Sequence, residues 1–409
     1  FKQKTAYEIR LSLVGSEMCI RDRKWGRESI GYEIEIAAKK IGVSIDTLKN
    51  WENGTTRPTV NQLLKIAEVY KRPFAVFYLP IPPNQMDEPF DTLRDWRKLA
   101  DSTDRKKSIG LILELREALR RREILLDLAE EMNEEITEFD ITYQNNMSST
   151  DLSRLVRNQL NITYMDQVKI KNIPDALKIW RTAVEKLNIL VFQTGFFTNY
   201  PIRVEEMRGI AIYYDRLPII VINSKDSHSA RIFTLVHELE HLILRLSGIS
   251  NTYEDNGLNQ EEIFCNEFAG ELLVPSNHLI EEPEVKSHDS LIWSDEVLDL
   301  LSRRYSISKE VILRKLLTLQ RTTESHYQEK REQWREEWIA INETRGKQEK
   351  SSGGPQYHTK FVRCHGVRFV ETAFEAYNRG VIPANQLSEY LGTKMKHIPK
   401  ILDHLRALS

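Results

Sequence analysis

Two histidines one helical turn apart with a glutamate beside the first, His237-Glu238-Leu239-Glu240-His241, constrain this chain more than any other feature. On a helix, positions i and i+4 share a face, so both imidazoles can reach one ion while Glu238 stands next to it. The surrounding run, residues 231–244, contains neither Pro nor Gly and is apolar almost all round, which predicts a helix buried in a core. Two imidazoles and a carboxylate are costly to desolvate unless something satisfies them, and a bound metal does so.

A catalytic zinc takes three protein ligands and keeps a fourth position for water. The best source of the third ligand is residues 261–275, a second predicted helix with apolar positions at Phe264, Cys265, Phe268, Ala269, Leu272 and Leu273, closed by Pro275. Glu261 and Glu262 both border its apolar stripe, and periodicity does not choose between them. Together the two segments resemble the ImmA/IrrE family of metallopeptidases, in which one helix carries HExxH and the next reads ExxAN-x-FA-xx-LL-x-P. Matched on Asn266, Phe268, Ala269, Leu272, Leu273 and Pro275, the resemblance puts the third ligand at Glu262. It also implies that Asn266 holds a ligand in orientation, and it sets Cys265 where the family usually has Ala. The chain departs from the family at Glu240, where Gly or Ala is usual; a carboxylate there either crowds the second helix or points to solvent.

The implied reaction is zinc-dependent hydrolysis of a peptide bond, in which the ion polarises the carbonyl and acidifies its water while Glu238 takes the proton and passes it to the leaving amine. Residues 217–223 form a short apolar run, read as a strand just before the zinc helix. By analogy with other metallopeptidases, that strand is expected to receive the substrate backbone by strand addition.

A second signal lies near the other end. Residues 34–54 read as a helix, a tight turn at Gly42, an N-cap at Ser44 and a second helix ended by Gly54, with Ala37, Val43 and Leu48 spaced to pack the two together. This pattern is a helix-turn-helix. A further amphipathic helix over 60–70 and the segment 72–78 close a small core. The stretch resembles Xre/Cro-repressor DNA-binding domains, whose WExGxxxP-T signature is met by Trp51, Glu52, Gly54, Pro58 and Thr59. The resemblance implies base reading by Ile45, Asp46, Thr47 and Asn50, and phosphate contacts from Ser44, Lys49, Asn53 and Arg57. Asp46 suits only an amino donor such as that of cytosine.

The chain starts at Phe1, and residues 2–23 resemble a translated sequencing adapter, so they are set aside as an artefact leader and the natural protein is expected to resume near Lys24-Trp25. Three Cys, one of them in that leader, argue against a disulfide framework, and no apolar run reaches membrane-spanning length. A cytoplasmic protein is expected. The formal net charge of −2 gives no electrostatic footprint, so DNA binding rests on the local excess of Lys and Arg between Lys24 and Arg72.

Between the two motif regions, residues 80–84 are a proline-rich stop, 91–97 resemble the segment that follows the DNA-binding domain in fused family members, and 108–132 form a charged amphipathic helix suited to core packing. Helices are expected up to Leu160 and over 174–187, and strands over 189–192, 210–214 and 218–222. Beyond Pro275, residues 294–316 have a helix-turn-helix shape that the family builds into its catalytic domain, 324–350 form a long charged helix, and 351–355 a hinge. His358, His365, His397 and His404 show no ligand spacing.

The expected fold is therefore α+β and mostly helical. A helix-turn-helix bundle occupies 24–80, a helical connector 81–149, a zincin-like peptidase domain with a small sheet and the HExxH helix 150–320, and a helical C-terminal region 321–409. The implied partners are operator DNA, bound as a homodimer on palindromic sites, and a repressor or antitoxin-type protein substrate, because relatives of this type cleave helix-turn-helix repressors. A different function class stays open from the residues alone: a transcription factor or antitoxin whose zinc domain is a sensor or scaffold without turnover.

Overall fold

The structure, a computed structural model, describes residues 18–78, 94–95, 107–141, 143, 147–250, 260–348 and 356–407. The leader before Met18, the proline-rich stop at 80–84, the hinge at 351–355 and all of 91–97 except Arg94 and Asp95 lie outside the described residues. The chain divides into two compact units, Phe1–Leu93 with Thr103–Glu117, and Arg94–Ser102 with Ala118–Ser409.

The first unit is built on α1 (Met18–Ser29), α2 (Ile34–Ile41), α3 (Ile45–Glu52) and α4 (Val60–Tyr70), followed by a 3-10 turn over Phe74–Tyr78. Helix α2 stops at Gly42 in the left-handed conformation, φ 86°, and α3 starts at once because the Ser44 hydroxyl accepts from the Thr47 amide. Thr59 and Gln62 form a full capping box at the start of α4. Ile30, Ala37, Leu48, Ile66, Tyr70 and Phe77 are all fully buried and make its core. Glu52, the acidic residue of the Trp-Glu pair, is held by Arg27 through two hydrogen bonds of 2.7 and 3.0 Å, while Arg27 also donates to the Tyr32 carbonyl. Helix α5 (Ile109–Glu131) then leads into the second unit.

The second unit carries a five-stranded mixed sheet in the order β1-β5-β3-β4-β2, with β1 Arg94–Asp95, β2 Leu190–Gln193, β3 Gly209–Ile212, β4 Ile219–Ile222 and β5 Gly248–Ser250. Strands β2 and β4 are parallel, β3 is antiparallel to both β4 and β5, and β1 pairs parallel with β5. Every residue of β2, β3 and β4 is buried, which is why these strands read as continuous apolar runs instead of alternating ones. Helix α8 (His228–Ile243) lies on this sheet against β3 and β4, with α6 (Ser149–Leu160), α7 (Ile173–Glu185) and α9 (Gln260–Leu273) completing the layer around it. The strand-addition expectation is corrected here: β4 is hydrogen-bonded on both edges, by β3 and by β2, so it has no free ladder to offer a peptide.

After Pro275, α10 (Asp295–Tyr305) and α11 (Lys309–Thr318) meet at Ser306, φ 56°, and bury Leu298, Leu301, Ile312 and Leu316 in the same core as α8 and α9. Helix α12 (Glu324–Gln348) is long and charged. The last four helices, α13 (Tyr357–His365), α14 (Val367–Asn378), α15 (Ala384–Tyr390) and α16 (Ile398–Arg406), pack on the outer edge of the sheet through α13 against β2. Buried Arg121 fixes that contact by donating to the Cys364 carbonyl at 2.9 Å while its guanidinium lies over the rings of Phe192 and Phe196. The architecture is mixed α+β and mostly helical.

Candidate functional site

Helix α8 starts where the Ser227 hydroxyl accepts from the Ala230 amide, and from Ala230 to Ile243 only Phe233 is not fully enclosed. His237 and His241 come round to one face four residues apart, and their Nε2 atoms lie 3.1 Å from each other. Opposite them, α9 presents Glu262: its Oε2 is 3.2 Å from His237 Nε2 and its Oε1 is 3.1 Å from His241 Nε2. His237, Glu238 and His241 are 0 % exposed and Glu262 is 2 % exposed. Burial alone would raise the Glu262 carboxyl, but the two imidazoles facing it hold it well below the usual carboxylate range.

This donor set fits a divalent cation. A tetrahedral zinc with bonds of about 2.0 Å needs donors about 3.3 Å apart, close to the three separations seen between the two imidazoles and the carboxylate. Two ring nitrogens turned toward each other and toward one carboxylate also suit a shared cation. A second grouping, His237, His241 and Cys265, is also compact. Cys265 Sγ, however, faces Nδ1 of His241 at 3.7 Å, on the far side of the ring from the Nε2 that meets His237 and Glu262. Its thiol is pushed well up by burial and by the neighbouring Glu240. The Nε2 atoms thus face Glu262, and Cys265 backs the His241 ring.

Glu238 lies on the face of α8 turned to the sheet, and its carboxylate packs directly over Gly209 of β3. A methyl group at Gly209 would sit 2.2 Å from Glu238 Oε1 and 2.6 Å from Thr234 Cγ2. A side chain there would have to displace the Glu238 carboxylate and the Thr234 methyl, so the glycine is what lets a carboxylate approach the strand backbone. Sequence reasoning missed this residue by starting the strand at Ile210. The available signal was a glycine abutting an apolar strand, which marks a close approach.

Glu240 does not reach solvent: it is 0 % exposed, and burial together with Glu267 and Glu262 pushes its carboxyl well up. Asn266 makes no hydrogen bond to His237, His241 or Glu262 among the described residues, and its Oδ1 is buried without a partner. It lines a cavity of about 410 Å³ with Phe233, Ile263, Glu267 and Val311, and the Phe233 ring stacks on His237 with centroids 6.3 Å apart.

In the first unit, α3 exposes Ile45, Asp46, Lys49 and Asn50, and Ser44, Asn53 and Arg57 flank it in exposed positions. Thr47 is half-buried, with its hydroxyl 2.8 Å from that of Ser44. The opposite face of α3 buries Leu48, Trp51 and Glu52. The eight residues expected to meet DNA thus share one side of a capped helix and its flanks.

The comparison with known families separates the same two regions. A peptidase family model described as an IrrE N-terminal-like domain matches residues 185–317, which span β2 to α11 and contain both site helices. A model described as helix-turn-helix matches residues 24–77. No curated protein matches the chain. No helix among the described residues is long and apolar enough to cross a membrane. The chain carries an Xre-type helix-turn-helix domain joined to a metallopeptidase domain of the IrrE/ImmA type.

Proposed function

We propose that this chain is a DNA-binding regulator whose second unit is a zinc-dependent endopeptidase, with His237, His241 and Glu262 as metal ligands and Glu238 as general base. The observation that carries the reading is the convergence of two imidazoles and one carboxylate from two helices, at separations of 3.1 to 3.2 Å, with a second buried acid, Glu238, beside His237. A structural zinc would use four protein ligands and no adjacent base. When bound, the ion supplies Lewis acidity to the scissile carbonyl and to water. Glu238, held against Gly209, accepts the proton of the attacking water on its carboxylate and delivers it to the departing amide nitrogen. Glu262 balances the positive charge and Cys265 sets the plane of the His241 ring.

The substrate class is a helix-turn-helix repressor or antitoxin-type protein, taken from the resemblance to the ImmA/IrrE family. On the DNA side, Ile45, Asp46, Thr47 and Asn50 read base edges and Ser44, Lys49, Asn53 and Arg57 contact phosphates, with two copies of the chain on a palindromic site. The complete burial of the four metal-site groups favours a second reading, in which the metal domain is a sensor or scaffold with no turnover. Metal content tests the assignment that both readings share. The purified chain should carry about one zinc, and His241→Ala and Glu262→Gln should each fall well below half occupancy. Glu261→Gln should stay full. Full zinc in His241→Ala would remove the site, and loss in Glu261→Gln alone would move the ligand by one residue.

A further inference from the structure

Parallel strands β2 and β4 end side by side at Gln193 and Ile222, and residues 223–227 carry the chain from β4 straight into the N-terminus of α8, sixteen residues long. The carboxyl ends of parallel strands, facing the first turn of the next helix, form a corner where main-chain N–H groups and the helix dipole favour an anion. Four basic residues gather at this corner: His228 and Arg231 from the first turns of α8, and Lys360 and Arg363 from α13. Arg231 donates to Gln193 Oε1 at 3.0 Å. Arg363 is close enough to bear electrostatically on both Arg231 and His228. Gly195, φ 112°, brings the other two donors in: a Cβ there would lie 3.3 Å from Ser224 Oγ and 3.8 Å from Lys360 Cε.

The charge of this cluster is not balanced from within. Its nearby carboxylate, Asp226, is ion-paired to Arg208 and accepts from the Ser227 amide. Arg231 is only 3 % exposed, and the Nε groups of Arg231 and Arg363 are buried without a hydrogen-bond partner among the described residues. Burying a guanidinium with an unmatched donor beside a second one is unfavourable unless an anion joins them. Burial and the neighbouring Arg363 pull the Arg231 guanidinium down to about 10, in keeping with that strain.

We propose that this corner binds the phosphate group of a small molecule, held between the guanidinium groups of Arg231 and Arg363, the Lys360 ammonium, the Ser224 hydroxyl and the first turn of α8. Two forks, an ammonium and a hydroxyl offer more donors than the two oxygens of a carboxylate can accept, whereas a phosphate presents three or four oxygens and up to two charges. The site lies six residues before His237, about 9 Å along the helix, and does not rest on the peptidase reading.

Calorimetric titration of the full chain, in chloride buffer at matched ionic strength, uses inorganic phosphate and adenosine monophosphate as separate probes. Saturable binding of one phosphate group per chain is expected, weakened about tenfold or more in Arg363→Gln, the loss of one charge-assisted pair. Lys360→Gln should weaken it too, and gives a second measurement should Arg363→Gln fold poorly. Binding of inorganic phosphate assigns the free ion as sufficient, and binding of the nucleotide alone assigns a phosphate ester; either supports the site. No saturable heat with either probe overturns it. So does unchanged affinity in a folded Arg363→Gln or in Lys360→Gln, which would put the anion elsewhere, such as at the zinc.

Discussion

Replacing Gly209 by Ala drives a methyl group into Glu238, the proposed general base. The added carbon would start 2.2 Å from Glu238 Oε1 and 2.7 Å from Glu238 Cδ. A carbon and an oxygen settle at about 3.3 Å, so the carboxylate must retreat by about 1 Å. Neither the strand nor the helix can absorb that movement easily, because Gly209 is paired on both sides, with Ile222 and Ser250, and α8 is enclosed by β3, β4, α7 and α9. Misplacing a reacting group by this distance costs about 100-fold in rate, and overpacking of this kind costs about 1–3 kcal/mol of stability. His237, His241 and Glu262 are not among the nearest atoms a Cβ at Gly209 would meet, so zinc should remain. The assay is the initial rate of cleavage of a helix-turn-helix repressor substrate, with zinc content and melting temperature measured on the same sample. Full zinc, a fall of a few degrees and a rate near one hundredth of the parent are expected. Gly209→Ala cleaving at the parent rate would refute the idea that the bare strand position sets the carboxylate.

Burial pushes the Glu185 carboxyl up to about 7, against the pull of Arg181 3.6 Å away, from an ordinary 4.5. The unfolded chain therefore loses this proton first, and stability falls as pH rises from 4.5 to 7, by at most about 3 kcal/mol; Glu185→Gln should melt higher than the parent above pH 7 and together with it at pH 5. On the DNA side, changing Thr47 and Asn50 together should relax sequence preference, while Arg57→Ala should weaken binding to all sequences alike and lower its salt dependence by about one counterion. Equal losses of specificity in both proteins, read by gel shift at two salt concentrations, would contradict the assigned roles.

Much of this was legible from local chemistry. The strands expected over 189–192 and 218–222 are found within one residue, because a continuous apolar run bounded by turn residues says both length and burial. Helix starts at Ser44 and Thr59 follow from side chains that cap them. The pairing of His237 with His241 follows from helical spacing, and Glu262 needed the family pattern, since Glu261 borders the same stripe. What could not be read is non-local. That β4 lies between β3 and β2 depends on which strands pair, and a run of Ile and Val carries no address. The burial of Glu240 depends on α9 crossing over it, and the role of Gly209 on a carboxylate 29 positions later in the chain (238 − 209 = 29). The extra strands Arg94–Asp95 and Gly248–Ser250 were also missed, since two and three residues are too short to show a period.

In the proposed reaction the buried site cuts peptide bonds with Glu238 as its base. The direct measurement is the cleavage rate of zinc-loaded Glu238→Gln against that of the parent, on the same repressor substrate. Gln keeps the shape of the side chain over Gly209 and removes its proton affinity, so about one zinc per chain should stay bound while the rate drops at least about 100-fold. Cleavage at the parent rate with zinc in place would remove Glu238 from the reaction.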